Sequence, residues 1–198
     1  MSQEGGTVPG TSERPLRADA RRNRDRVLDA AVRAFSTDGP DVTLDSIAKS
    51  AGVGIGTLYR HFPTREALVE AAYRNELAKL CDSVADLLST MPPVAATRAW
   101  MDLFVDYMTT KRGMANALKA VIASGGNPFS ESRDRLVGAI STLLDAGVAE
   151  GSVRKDVDPA IVLSGLSGVT LAAGEPGQRE NANCLLDLLM DGLRYGAD

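Results

Sequence analysis

The amino-acid sequence predicts an all-α protein. Aromatic residues make up only 5% of the 198 residues and β-branched residues occur in short runs, so little in the composition favours strands. Apolar residues instead recur at intervals of three and four, which is the period of a helix with one buried face. Glycine and proline divide this pattern into separate segments. With 44% hydrophobic residues available for a core, we expect about nine α-helices.

The first predicted helix covers about residues 20–37. The residues before it, 1–18, are rich in Gly, Ser, Thr and Pro, which predicts a flexible N-terminal arm. The helix should end at Asp38-Gly39-Pro40, because glycine and proline interrupt helices. Its buried face is expected to contain Val27, Leu28, Ala31, Val32 and Phe35.

Two short helices joined by a glycine turn come next. Thr43 is placed to cap the first of them, because its hydroxyl can accept from a free N–H group of the first turn. Gly52 stands where a helix ends in a left-handed residue. The second helix is expected over about residues 55–61, with Leu58 and Phe62 turned inward. Its outward residues are small, polar and aromatic, which suits insertion into a DNA major groove: Ile55, Gly56, Thr57, Tyr59 and Arg60.

A long fourth helix is predicted over about residues 64–89, with Thr64 as its N-cap and Met91-Pro92-Pro93 at its end. At about 1.5 Å per residue it would be roughly 40 Å long, enough to join a DNA-reading domain to the domain behind it. Five further helices, separated by glycine and proline, are expected at about 94–111, 113–124, 130–150, 159–173 and 179–195.

The charge of the chain is divided between its two halves. The net charge is −4, which is unusual for a protein that binds DNA. Residues 1–80, however, carry 12 Lys/Arg against 11 Asp/Glu, whereas residues 81–198 carry 10 against 15. Residues 14–26 alone hold six Arg against two Asp. Because the local field governs phosphate contact more than the total does, a DNA-binding N-terminal half remains consistent with the composition.

Other classes of function find little support. The only histidine, His61, lies within the two-helix motif and no catalytic constellation stands out, so we expect neither an enzyme nor a cofactor. Cys81 and Cys184 lie far apart and off any metal-ligand spacing, which argues against a metal site and fits a reducing compartment. The first twenty residues lack an apolar signal segment, and the longest uncharged run, 159–174, is too short and polar for a membrane span. We expect a cytoplasmic protein, associated with the nucleoid when it is bound to DNA.

Together these N-terminal residues resemble the helix-turn-helix domain of the TetR family of transcriptional regulators. The resemblance covers about residues 22–81 without an insertion. The matching elements are Ala31, Phe35, Gly39, Thr43, Ile47-Ala48, Ala51-Gly52-Val53, Gly56-Thr57-Leu58-Tyr59, His61-Phe62 and Arg65-Glu66-Ala67-Leu68. The resemblance implies a DNA-binding domain at 19–81 and a helical ligand-binding and dimerisation domain at 82–198.

The resemblance also implies which residues touch operator DNA. Tyr59 and His61 are expected to contact phosphates, with Thr43 and Arg65 doing so from neighbouring helix starts. Base reading is expected from Ile55, Gly56, Thr57 and Arg60. Gly54 departs from the family, which commonly has serine there, so one hydroxyl contact is missing. The basic arm, including Arg21 and Arg22, could follow the minor groove or the backbone, or could simply be a solvated face.

In the C-terminal half the resemblance places an inducer cavity and a dimer interface. The residues assigned to the cavity are largely aromatic, apolar or sulfur-containing, although ordinary core packing explains any one of them: Trp100, Phe104, Tyr107, Met108, Met114, Leu118, Ile122, Phe129, Leu166 and Thr170. The interface is expected between two copies of the last two helices, through small residues and a leucine stripe: Ser164, Gly165, Gly168, Leu185, Leu188 and Leu189. A tight contact within one chain is the alternative.

The function implied is a homodimeric repressor that a small apolar ligand releases from its operator. Two alternatives stay open. The protein could be a helical carrier or enzyme whose helix-turn-helix no longer binds DNA, for which Gly54 and the acidic total charge speak. It could also be a DNA-bound regulator with a filled core and no ligand.

Overall fold

The computed structural model describes residues 13–37, 42–172 and 178–197. Over these ranges it contains nine α-helices and no strand, which confirms the predicted all-α fold. None of the helices in this part of the chain is long and apolar enough to cross a membrane. The helices are α1 (Glu13–Thr37), α2 (Leu44–Ser50), α3 (Ile55–His61), α4 (Arg65–Thr90), α5 (Pro93–Gly113), α6 (Ala115–Ala123), α7 (Ser132–Glu150), α8 (Pro159–Ala172) and α9 (Arg179–Arg194).

The first helix is longer than the sequence pattern predicts. It begins at Glu13 rather than at about residue 20, so it includes residues 13–18, which the sequence pattern assigns to the N-terminal arm. Good helix formers (Arg, Leu and Ala) extend the helix beyond its apolar face, and Pro15 lies in the first turn, where a helix tolerates proline. The rest of the predicted arm, residues 1–12, and the predicted break at Asp38-Gly39-Pro40 lie outside the described residues.

The N-terminal helices α1, α2 and α3 pack with the start of α4 around one apolar core, and we call this unit the head. Four of the five predicted α1 residues are fully buried there, and Val32 lies at the edge. Arg65, at the first position of α4, donates to the carbonyl of Val42, and its guanidinium carbon lies 4.8 Å from the ring centre of Phe35. This side chain therefore ties the start of α4 to both α1 and the segment before α2.

The long helix α4 belongs to both halves of the molecule. It packs against α1 on the side of the head and against α5, α6 and α7 behind it. With 26 residues it is about 39 Å long. Lys79 on α4 also pairs with Asp29 on α1, with 2.7 Å between the ammonium and the carboxylate. The head is thus joined to the C-terminal domain by a continuous helix rather than by a loop.

A second contact between the two halves is made at the C-terminal ends of α1 and α5. A Cβ atom added to Gly113 would lie 2.9 Å from the Cβ of Ser36 and 3.1 Å from its Cα. Real side chains essentially never approach so closely, so this packing requires glycine. The hydroxyl of Ser36 is buried without a hydrogen-bond partner among the described residues, as expected where two helices pack closely.

The C-terminal domain is organised around α5. This helix packs against α4, α7, α8 and α9, and the indole N–H of Trp100 donates to the carbonyl of Leu80 on α4 at 2.9 Å. The helix ends of this domain are also fixed by local structure. Gly151 ends α7 in the left-handed conformation with φ of 78°, and Asp158 accepts from the N–H of Ala160 at 2.8 Å at the start of α8.

Candidate DNA-binding surface and C-terminal site

The turn between α2 and α3 has the geometry that the sequence predicts. The hydroxyl of Thr43 accepts from the N–H of Ser46 at 3.1 Å, which caps α2. Gly52 adopts the left-handed conformation with φ of 66°, and the N–H of Val53 donates to the carbonyl of Ala48 at 3.0 Å. The positions and angle of the two short helices are therefore fixed by local hydrogen bonds as well as by the core.

The third helix presents one face to the core and the other to solvent. Leu58 is fully buried and Phe62 nearly so, whereas Tyr59 is 49% exposed. Among the other predicted contact residues, Ile55, Gly56, Arg60 and His61 are exposed and Thr57 is half-buried. The structure thus brings these predicted DNA contacts onto one protruding helix. A helix of this size with a solvent-facing side matches the width of the major groove.

The two glycines at the start of α3 have open space around them. An added Cβ at Gly54 or at Gly56 would meet no atom within 4 Å. Packing inside the chain therefore does not require glycine at either position. Gly54 is the N-cap of α3 but offers no side-chain cap, so the first N–H groups of this helix have no side-chain partner there.

The basic residues around α3 differ in whether they are engaged by contacts within the chain or exposed to solvent. Arg65 is half-buried and engaged inside the head by its hydrogen bond to Val42 and its contact with Phe35, and the phosphate contact expected of it stays a prediction. Arg21 and Arg22 are exposed on α1, and Arg22 pairs with Asp19. A further exposed cation near α3 is Lys49, in the last turn of α2, which was not among the predicted DNA contacts. The one sequence feature that could have pointed to it is that no other residue of this helix is basic.

The residues predicted to line an inducer cavity lie in several different environments. Trp100, Phe104 and Met114 are buried in the common hydrophobic core, as are Leu118, Leu166 and Thr170. Met108 and Phe129 are half-buried at its edge. Ile122 is 49% exposed, so its side chain does not point into the core. A groove of about 190 Å³ between α4 and α5 has Tyr107 in its wall.

Three hydroxyl groups meet at the centre of this domain. The hydroxyl of Tyr73 on α4 lies 2.6 Å from that of Tyr107 on α5 and 3.0 Å from that of Ser132 at the start of α7. Burial, followed by the hydrogen bond with Tyr73, raises the pKa of Tyr107. Tyr73 and Ser132 were not among the residues predicted from the sequence, because neither stands out from its own helix. Lys111 lies beside this cluster, 4.6 Å from the ring centre of Phe129 and 5.8 Å from that of Tyr73.

The last two helices expose an apolar face. Ile161 and Leu171 on α8 and Leu188 on α9 are 66%, 80% and 68% exposed. Ser164 and Gly168 lie on the same face of α8 and are exposed, whereas Gly165 is half-buried. A Cβ at Gly165 would approach Leu189 to 3.3 Å, so Gly165 and Leu189 make a contact within the chain. Leu185 is likewise packed against the core.

A capped helix, a glycine turn and a short exposed second helix define a helix-turn-helix DNA-binding protein. Residues 27–72 match the family model described as bacterial regulatory proteins, tetR family. Residues 92–195 match the one described as transcriptional regulator SbtR-like, C-terminal domain. The chain belongs to the TetR family of transcriptional regulators, which are DNA-binding regulators and not enzymes.

Solved structures and curated sequences agree with this assignment. A TetR transcriptional regulator from Streptomyces coelicolor is 54% identical, with a TM-score of 0.83 over 88% of this chain and 99% of that one. A TetR regulatory protein from Mycobacterium vanbaalenii is 33% identical, with a TM-score of 0.74 over 91% and 100%. The HTH-type transcriptional regulator TtgW of Pseudomonas putida is 34% identical over 88 residues, which are 44% of this chain. The chain spans 61% of that relative and 34% of a Staphylococcus aureus regulator, less than two thirds of each.

Proposed function

We propose that this protein is a homodimeric repressor that a small, largely apolar ligand releases from its operator. The observation that carries the proposal is the exposed face of α3, held on a head that is continuous with the C-terminal domain through α4. In this role the protein acts in the cytoplasm, on operator DNA of the nucleoid.

On DNA, the exposed residues of α3 divide into two groups. Tyr59 and His61, at the C-terminal end, serve as phosphate contacts that act on any sequence. Ile55, Thr57 and Arg60 contact base edges, where a methyl group can meet thymine and a guanidinium can bind guanine. Gly56 allows the backbone to approach closely, because no side chain fills the space beside it. For Arg65 the structure favours a role in holding the head together.

The exposed apolar face of α8 and α9 supports dimerisation. Leu171 and Leu188 would remain in water in a monomer, and a second copy of the same face would cover them. The small residues Ser164 and Gly168 on this face allow two helices to approach closely. Two heads then reach successive major grooves, with half-sites about 34–36 Å apart or a multiple of that spacing.

Release by a ligand requires that the ligand prefer the state that does not fit DNA. The supporting feature is α4, which contributes Tyr73 to the polar centre of the C-terminal domain and begins beside α3. A ligand that changes the packing around Tyr73 therefore acts on the same helix that positions the head.

Binding to the DNA upstream of the protein's own gene tests the proposal. Titrations of wild-type protein at several salt concentrations should show affinity falling steeply with salt, because phosphate contacts release counterions. Tyr59→Ala should weaken binding to every sequence by roughly tenfold, whereas Thr57→Ala should change the order of preference among operator variants. Arg60→Ala should likewise change the order of preference, whereas its control Arg133→Ala, at an exposed arginine on α7, should leave binding unchanged.

A monomeric protein that ignores promoter fragments at low salt would contradict the proposal. It would favour instead a helical carrier or enzyme whose helix-turn-helix no longer binds DNA. Salt-independent binding would contradict only the phosphate contacts. Equal losses on all operators from Tyr59→Ala and Thr57→Ala would contradict the division between phosphate and base contacts.

A further inference from the structure

The hydroxyl cluster of Tyr73, Tyr107 and Ser132 holds one more donor than it uses. Each hydroxyl carries one proton, and the two hydrogen bonds at 2.6 and 3.0 Å use two of the three. Within the described part of the chain no further acceptor receives the third. All three side chains are more than nine-tenths buried, where an unused donor costs free energy. The cluster can therefore donate to an acceptor that enters from outside.

The surroundings of the cluster are positively charged. Lys111 is half-buried, and in the described ranges its ammonium contacts aromatic rings but no carboxylate. Arg135, one turn after Ser132, lies close enough to act on Tyr107 electrostatically. The N-terminal end of α7 adds the partial positive charge of the helix. The acids around the cluster are exposed or already paired with a cation. Asp82 and Glu131 are exposed, and Asp82 lies 3.8 Å from Arg135. On the groove beside Tyr107, Glu76 pairs with Lys79 and Asp106 with Arg179. What this site lacks is a buried anion.

An aromatic ring already occupies the space beside these groups. The ring of Phe129 meets that of Tyr73 edge-on, with the ring centres 5.1 Å apart and the planes at 88°. Phe129 is half-buried and belongs to the short connection between α6 and α7 rather than to a helix. Near the start of that connection lies Gly125, whose φ of 91° is favourable for glycine. A ring from another molecule can take this place if the connection moves outward.

We propose that this cluster recognises the ligand of the C-terminal domain and that the ligand is a small aromatic carboxylate. Its ring replaces that of Phe129 against Tyr73, and its carboxylate accepts from the spare hydroxyl and pairs with Lys111. This inference rests on the proposed function, because it names the ligand class for a regulator that responds to a ligand. It also names the consequence, since displacing Phe129 changes the packing of Tyr73 on α4 and Ser132 on α7.

Phenylacetate is a direct probe, because it joins the benzyl group of a phenylalanine side chain to a carboxylate. Phenylacetamide is the matched control, with the same shape and no charge. Calorimetric titration of the full chain should show phenylacetate binding at least about tenfold more tightly than the amide, because a charged group forms the stronger hydrogen bond. Phe129→Ala should raise the affinity for phenylacetate by vacating the ring site. Phe129→Leu serves if the alanine variant is unstable.

Charge recognition is tested by Lys111→Gln, which should lower the affinity for phenylacetate about tenfold or more and leave that for the amide unchanged. Lys119→Gln, an exposed lysine on α6, is the control and should have no effect. Equal affinity for acid and amide, an unchanged affinity in Lys111→Gln, or no binding to either wild type or Phe129→Ala overturns the inference. Operator binding, measured on the same samples, separates the two proposals. If it persists while phenylacetate fails to bind, only the ligand class is wrong.

Discussion

The head and the C-terminal domain place their polar groups in opposite ways. In the head, Tyr59 and Arg60 stand on the surface above a core of purely apolar residues such as Leu58. In the C-terminal domain, the hydroxyls of Tyr73, Tyr107 and Ser132 lie inside. The residues proposed to contact DNA, Tyr59 and Arg60, therefore contribute little to the stability of the head, whereas the residues proposed to bind the ligand also connect helices of the C-terminal domain. Substitutions can test this difference.

The largest expected difference is in stability, between alanine substitutions of two aromatic residues, one from each region. Trp100→Ala should lower the free energy of unfolding by about 3–5 kcal/mol, because it empties a buried volume and removes the indole hydrogen bond to the carbonyl of Leu80. Tyr59→Ala should change it by less than about 0.5 kcal/mol, as is usual for exposed positions. Urea denaturation at one protein concentration gives both values. Similar losses in the two variants would remove the contrast between the regions.

Alanine substitutions at two glycines test the contact between α1 and α5, which joins the two regions. Gly113→Ala should cost about 1–3 kcal/mol, because the new methyl group must push Ser36 away. Gly138→Ala on α7 is the matched control. It meets nothing within 4 Å and should stabilise the protein by up to about 1 kcal/mol through helix propensity. If both variants are equally stable, α1 and α5 do not pack as tightly as described.

The hydroxyl cluster can be weakened without changing its shape. Tyr73→Phe removes both hydrogen bonds and should cost about 1–3 kcal/mol, since two buried hydroxyls lose their partner. Tyr107→Phe removes one bond and should cost less. Thermal and urea denaturation compare the two. A larger loss in Tyr107→Phe would mean that Tyr73 is not the central member of the cluster.

Stability at alkaline pH should report on the same cluster. Burial and the bond to Tyr73 raise the pKa of Tyr107 above its ordinary value near 10. Below that pH the hydroxyl is protonated in both states and its contribution is complete. At higher pH only the unfolded state ionises, so stability falls by up to about 1.4 kcal/mol per pH unit. Tyr107→Phe should reduce this slope between pH 10 and 11.5, and an unchanged slope would assign it to other groups.

The smallest expected effect concerns the head. Thr43→Ala removes the cap of α2 and should cost about 1 kcal/mol. Thr64→Ala removes the equivalent cap of α4, where the hydroxyl accepts from Ala67 at 3.1 Å, and should cost about the same. If Thr43 also contacts phosphate, only its variant loses additional affinity for operator DNA. Equal affinities would restrict Thr43 to capping.

The two regions also differ in how well the sequence predicts them. The bounds of α3 agree with prediction, and Thr43 and Gly52 act as predicted, because caps and turns depend on neighbouring residues. The start of α1 differed because helix formers continue past the apolar face. The contact of Arg65 with Phe35 could not be predicted in the same way, because Phe35 comes from another helix.

Within the C-terminal domain the predictable part is the set of helices rather than the site. Tyr73 is 34 residues from Tyr107 and 59 from Ser132, so no local pattern connects them. The resemblance places Ile122 in the cavity, yet α6 buries only the side that carries Ala117, Leu118 and Val121. Which of several apolar residues faces inward depends on where the neighbouring helices lie.

The sequence of α4 contains neither glycine nor proline from Arg65 to Thr90, so nothing in it favours a kink. The helix should therefore act as a stiff lever. A tilt of about 5° at one end of a 39 Å rod displaces the other end by about 3 Å. Because a two-fold axis would relate the two copies, their heads would move in opposite directions, and the distance between the two copies of α3 would change by up to roughly twice that amount. That is a sizeable fraction of the major-groove width, about 12 Å, and it needs no unfolding and no flexible joint.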